Sequence, residues 1–273
     1  MPNTDPGALA RELLAAYETG AVVPSTPSAR DDAFDLRAGY AVEAELLRAR
    51  QSAGRKSTGL KVGYANKAVW RALKLDTLVW AHMYDDTVHF TDAASTSLTL
   101  PYYRSPKIEP EIVIKLREPV PAGLEAAADV LPRVEWVALG FEIIDCPFPD
   151  WTFKPADFVA AFGLHLALVV GPPLRVEAGA IPALVESLAS FKLTLSKGDQ
   201  LVEKGAGKNS LRSPALCVAE LASALSRAGS TPLAAGELIS TGTLTTGQSV
   251  AKGETWRAEV EGLDLPSLSL RFE

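Results

Sequence analysis

Apolar residues recur every three or four positions near the start of the chain and every second position further on. Leu9, Leu13, Leu14 and Tyr17 share one face of a helix over residues 7–19, with Gly20 as its stop. A Pro/Ser-rich loop, VVPSTPSARDD, leads to a second helix over 34–52 that ends at Gly54. TGLKVGY reads as a strand, and NKAVWRALKL as a short helix capped by Asn66. From about residue 76 the texture changes. β-Branched runs recur between turn signals: LVWAHMY, IEPEIVIKL, RVEWVALGFEIID, LHLALVVG, FKLTLSKGDQLVEKG, GELISTGTLTT, TWRAEVEG and SLSLRFE. Helical stretches interrupt them near 122–131 and 213–228. The pattern predicts an α+β fold, with a smaller helical N-terminal part over 1–75 and a mostly antiparallel β domain over 76–273.

The informative residues are the charges that break this pattern. In KIEPEIVIKL, Glu109 and Glu111 lie two apart and so point to one face of a strand, while Ile108, Ile112, Ile114 and Leu116 fill the other. Side by side and unpaired, two carboxylates repel. An edge strand in water would tolerate them, and Pro110 suits an edge. Glu142 is a third acid, set among Phe141, Ile143 and Ile144, where burial is costly unless it is paired or metal-bound. Three carboxylates converging from two strands would offer an all-oxygen site to a hard cation such as Mg²⁺ or Mn²⁺. Spacing alone leaves the solvated strand and the metal site both open.

Lys61 in GLKVGY is either an exposed strand lysine or a cation that meets a substrate carboxylate or donates a proton. Asp85 and Asp86 end LVWAHMY as an ordinary turn would. His165 in LHLALVV reads as a core histidine. GAGKNSLRSP is not a phosphate loop, because Val202 stands where the first glycine belongs and Asn209 follows Lys208. The two cysteines, Cys146 and Cys217, form no metal or disulfide pattern.

Composition narrows the class. The 273 residues are 47% hydrophobic and 22% charged, as in a soluble globular protein, and long enough to bury a large core. A net charge of −6 argues against nucleic-acid binding but not against an anionic substrate. The chain begins without an apolar signal stretch, and no apolar run is long enough to span a bilayer, so a cytoplasmic protein with no membrane role is expected.

Taken together, AGYAVEAEL, GLKVGY, IEPEIVIKL, GFEIID, the Asp-Trp pair at 150–151, ELISTGTLTTG and LSLRF resemble the fumarylacetoacetate hydrolase superfamily, in its branch of 2-oxopent-4-enoate hydratases and 4-oxalocrotonate decarboxylases. The resemblance implies that Glu109, Glu111 and Glu142 hold Mg²⁺ or Mn²⁺, and that Lys61 and one of Asp85 and Asp86 are catalytic. It puts Lys154, Phe162, Leu164 and Thr243 at the substrate. It implies a metal-dependent lyase of hydratase type, acting on a 2-oxo or 2-hydroxy-dienoic acid through a metal-stabilised enolate, in a homo-oligomer. The same enolate chemistry serves a decarboxylase or a C–C bond hydrolase, and a non-catalytic metal-binding partner subunit is the alternative of another class. The chain departs from the branch in two places. Cys146 and Pro147 follow Asp145 where the branch has Ser and Arg. Ala160, Ala161, Phe162, Gly163, Leu164 and His165 stand where it has a polar Ala-Asp-Asn-Ala-Ser-Ser segment. If strand alternation holds there, Phe162 and Leu164 share a face opposite His165. That face would either line the core or wall a pocket for a substrate longer or more apolar than pentadienoate.

Overall fold

Residues 4–273 are described by the structure, a computed structural model. The expected helices form at Pro6–Thr19, Leu36–Ser52, Lys67–Leu73 and Pro214–Ala228. Asp5, Asp35 and Asn66 cap the first three through side-chain oxygens that accept from backbone N–H groups of the first turn. Gly20 and Gly229 end their helices in the left-handed region that glycine adopts without strain. The helix expected over 122–131 shrinks to the single turn Ala127–Val130. Two further helices, Pro155–Ala160 and Ile181–Ser190, each carry a proline in the first two positions. Among the described residues no helix is long and apolar enough to cross a membrane.

Two mixed sheets carry the rest. The larger runs in the order Val79–Tyr84, Ser57–Gly63, Leu238–Ser240, Lys107–Leu116, Val134–Ile144, His165–Val170 and Val88–Phe90. Its pairings are antiparallel except Ser57–Gly63 with Leu238–Ser240 and Val88–Phe90 with His165–Val170. The smaller runs Gln200–Ala206, Lys192–Lys197, Thr255–Glu261, Leu268–Phe272 and Ser95–Leu98.

Ser57–Gly63, which falls within the N-terminal part expected over 1–75, lies inside the larger sheet, with register from Gly59↔Leu238 to Lys61↔Ser240. The helices before it bury Leu9, Leu13, Val42 and Leu46 toward an apolar core that continues through both sheets.

Candidate metal centre and substrate cleft

The centre grows from one pair of facing strands. In the antiparallel register of Lys107–Leu116 with Val134–Ile144, Glu109 lies directly opposite Glu142, and Glu111 opposite Gly140. Directly opposed residues share a face, so all three carboxylates project to the same side of the sheet. Each offers an oxygen, and these oxygens all lie within 4.8 Å of one another. Glu111 and Glu142 are fully buried, and Glu109 is half-buried.

The positive charge that this arrangement requires is Lys61. Its row of the sheet, Lys61↔Ser240↔Val113, brings its side chain to the glutamate face. The ammonium, 2% exposed, lies 2.9 Å from Glu142 Oε2 as an ion pair, off the hydrogen-bonding direction. It donates to the Gly163 carbonyl at 3.0 Å and sits over the Phe158 ring at 5.1 Å. Gly163 has φ +59°, and a Cβ there would come within 2.7 Å of Lys61 Cδ, so only glycine lets the lysine reach this carbonyl.

The charges divide unevenly. Burial works to lower Lys61, but Glu142, Glu109 and Glu111 outweigh it and hold the ammonium above its ordinary range. Burial pushes Glu109 up to about 7, against the pull of Lys61. Burial and the neighbouring Glu142 hold Glu111 well above the ordinary carboxylate range. Burial would raise Glu142 too, but Lys61 and His165 overcome it and keep that carboxylate low.

The residues fit a hard divalent cation. Glu111 Oε2 accepts from Ser240 Oγ at 2.5 Å and from the Gly242 N–H at 2.8 Å, while Glu111 Oε1 is buried without a hydrogen-bond partner. A buried carboxylate oxygen left unsatisfied beside two other carboxylates is the environment a bound cation completes. The donors are all oxygen, which suits Mg²⁺ or Mn²⁺ better than a softer ion.

Beside the carboxylates a cleft of about 260 Å³ is lined by Lys61, Glu109, Lys107, Trp151, Phe153 and Thr243, with Tyr64, Phe158 and Leu164 deeper. Of the residues expected at substrate, Thr243 and Leu164 line this cleft and Phe162 does not. Residues 162–164 are not a strand. Phe162 (φ +57°), Gly163 and Leu164 (φ +59°) form a tight left-handed turn, so alternation fails there. The turn sends Phe162 onto Tyr17, ring centroids 4.5 Å apart, and leaves Leu164 at the cleft.

Lys154, exposed, precedes the Pro155–Ala160 helix; its N–H donates to Asp157 Oδ2, and it does not line the cleft. Asp85 and Asp86 sit at an exposed turn. Asp85 Oδ1 accepts from the Lys56 N–H, and Asp86 bridges Arg50 and Arg55. Neither aspartate lines the cleft; both follow the end of the Val79–Tyr84 strand. His165, read as a packing residue, instead reaches Glu142 Oε1 at 2.9 Å. Lys107, Trp151 and Phe153 went unread as site residues. Lys107 Nζ stacks 3.8 Å above the Trp151 ring at the cleft, and its place two residues before Glu109 in the same strand is the signal that could have found it.

Comparison with known proteins places the chain in a family. The family model described as fumarylacetoacetate (FAA) hydrolase C-terminal matches residues 74–268. A 2-hydroxyhexa-2,4-dienoate hydratase of Comamonas testosteroni is 30% identical over 229 residues, 84% of each chain. A 4-oxalocrotonate decarboxylase of a Pseudomonas species is 26% identical over 265 residues, 97% of this chain and 98% of that one. The solved 4-oxalocrotonate decarboxylase of Pseudomonas putida G7, complexed with magnesium and adipate, superposes with a TM-score of 0.87 at 25% identity, over 98% of this chain and 97% of that one. With the facing glutamates in register and both the family model and the hydratase spanning most of its length, the chain belongs to the fumarylacetoacetate hydrolase family.

Proposed function

We propose that the protein is a divalent-metal-dependent lyase of hydratase type, acting on a small 2-oxo or 2-hydroxy-dienoic acid. The observation that carries this reading is the three-glutamate cluster with its unsatisfied Glu111 oxygen, opening on a cleft that holds two lysines and an aromatic wall. Glu109, Glu111 and Glu142 would hold Mg²⁺ or Mn²⁺. A bound divalent cation supplies Lewis-acid stabilisation of negative charge developing on a 2-oxo oxygen, worth several kcal/mol.

The chain's own residues do the rest. Lys61 Nζ is fixed by Gly163 and Glu142 and cannot swing away. It places a permanent positive charge where a substrate carboxylate enters, which offsets part of the glutamates' excess negative charge. Trp151, Phe153, Phe158 and Leu164 exclude water from one side of the conjugated chain and hold it flat against the carboxylates. The proton-moving role expected of Asp85 or Asp86 gains no support, since both are committed to the turn and its arginines.

One observation favours a second reading. Lys107 brings another cation into the cleft, which suits a substrate with a carboxylate at each end and hence decarboxylation. The solved decarboxylase neighbour is complexed with adipate, a dicarboxylate. Product analysis separates the readings. Mono- and dicarboxylic 2-oxo-dienoates are each incubated with Mn²⁺ and enzyme. A hydrated product with the carbon count kept supports the first reading, and released CO₂ supports the second. No turnover of either class with metal bound would favour a non-catalytic partner subunit. Work as a homo-oligomer is part of the same proposal.

A further inference from the structure

We propose that His165 is a positioning residue that holds Glu142 in its metal-ligating pose through a side-chain relay ending at Thr87. This rests on the metal reading above and adds a residue to it. His165 is 2% exposed. Its Nδ1 lies 2.9 Å from Glu142 Oε1, and its Nε2 lies 2.9 Å from Thr87 Oγ1. An ionised carboxylate can only accept, so Nδ1 donates to Glu142. Nε2 pairs with the Thr87 hydroxyl oxygen, whose own proton also has the Tyr84 carbonyl in reach at 3.0 Å. Thr87 is itself fixed, since its carbonyl accepts from the Leu168 N–H at 2.8 Å.

The backbone is built to make this contact. Between Val134–Ile144 and His165–Val170 the register runs Ile143↔Ala167 and then Ile144↔His165, skipping Leu166. Without that irregularity Leu166 would oppose Ile144, and His165 would fall on the other face. The extra residue puts His165 in line with Ile144 and Glu142 instead. The left-handed turn just before it is pinned by the Asp145 N–H, which donates to the Leu164 carbonyl at 2.9 Å.

The consequence concerns the metal. Glu142 has Lys61 at one oxygen and His165 at the other. A carboxylate held at both ends cannot rotate out of the cluster, and partners of this kind change metal affinity by about ten- to a hundredfold when removed. The test is Mn²⁺ affinity, measured by titration calorimetry on wild type, His165→Leu and His165→Gln, with circular dichroism confirming the fold. His165→Gln keeps one side-chain N–H for Glu142, whereas His165→Leu keeps bulk and loses the donor. The expected result is a dissociation constant raised tenfold or more in His165→Leu and held within threefold of wild type in His165→Gln. Equal affinity in wild type and His165→Leu would overturn the proposal, as would equal losses in both variants. Should His165→Leu not fold, Thr87→Val and Thr87→Ser decide. Weaker Mn²⁺ binding in the valine variant, rescued by serine, supports the relay, and equal binding overturns it. A wild type that binds no Mn²⁺ would refute the metal reading, and this inference with it.

Discussion

At the scale of the residue, the site depends on Lys61 being buried among acids. Removing one partner of a buried ion pair leaves an uncompensated charge, and that costs about 3–5 kcal/mol. Lys61→Met should therefore lower metal-free stability by about 3 kcal/mol in urea denaturation. It should also cut turnover by roughly a hundredfold or more in the Mn²⁺-loaded protein. A variant as active as wild type would remove Lys61 from the chemistry. Gly163→Ala tests the seat of the lysine. The strained left-handed backbone should cost about 1–3 kcal/mol, and the new methyl should push Lys61 off the Gly163 carbonyl, so activity should fall with stability. The glutamates stood out because acids in an apolar strand are rare and costly, whereas Lys61 was set apart only by the family resemblance, since a lone strand lysine is ordinarily exposed. His165 did not stand out, because a histidine in an apolar run looks the same whether it packs or bonds, and the register shift that aims it leaves no mark in the sequence. Adjacent acids such as Asp85 and Asp86 attract notice, but their partners, the Lys56 N–H for Asp85 and Arg50 and Arg55 for Asp86, cannot be read from the local sequence.

At the scale of the element, the facing strands Lys107–Leu116 and Val134–Ile144 make metal binding pH-dependent. In the metal-free folded chain Glu109 and Glu111 keep protons that an unfolded chain releases near pH 4.5. Their contribution to stability is therefore most favourable at low pH and is lost as pH rises through about 7, the value for Glu109. Glu142, held low, acts in the other direction, and only below the ordinary carboxylate range. A cation must displace the held protons, so Mn²⁺ affinity should rise by about tenfold or more from pH 5.5 to pH 7.5, with proton release in calorimetry buffers of differing ionisation heat. A flat profile would mean that the cluster does not bind the ion. The Phe162–Leu164 turn carries a second expectation. Leu164→Ser should lower catalytic efficiency on an aryl- or alkyl-extended dienoate by about tenfold relative to the five-carbon acid, since a buried leucine contributes roughly 1.5–3 kcal/mol. Equal effects on both substrates would return Leu164 to a packing role. Periodicity exposed the longer strands and four of the helices, but alternation could not see three successive positive φ angles in residues 162–164. The Ile181–Ser190 helix went unread, and Ala127–Val130 was overextended because an alanine-rich stretch reads as helix whether or not the tertiary fold continues it.

At the scale of the whole molecule, the sheet order explains how the parts of the proposed site come together from distant segments. Lys61, Glu111, Glu142 and Ser240 are spread over most of the sequence, yet the strands that bear them are consecutive neighbours in one sheet. The α+β class was legible from the change in hydrophobic period near residue 76. The place of Ser57–Gly63 in the larger sheet was not, because a strand's place in a sheet depends on its partner, and Leu238–Ser240 lies far along the chain. The most direct test of the whole reading is thermal unfolding with and without Mn²⁺, in wild type and Glu111→Gln. A ligand at a hundredfold excess over its dissociation constant stabilises by about 2.7 kcal/mol, which for a chain of this length is roughly 5–10 °C in Tm. Glu111→Gln keeps an acceptor for Ser240 and Gly242 and removes one of three crowded carboxylates. It should melt no lower than wild type without metal and show no shift with it. Identical Mn²⁺ shifts in the two proteins, or none in wild type, would contradict the assignment of Glu109, Glu111 and Glu142 as the metal centre.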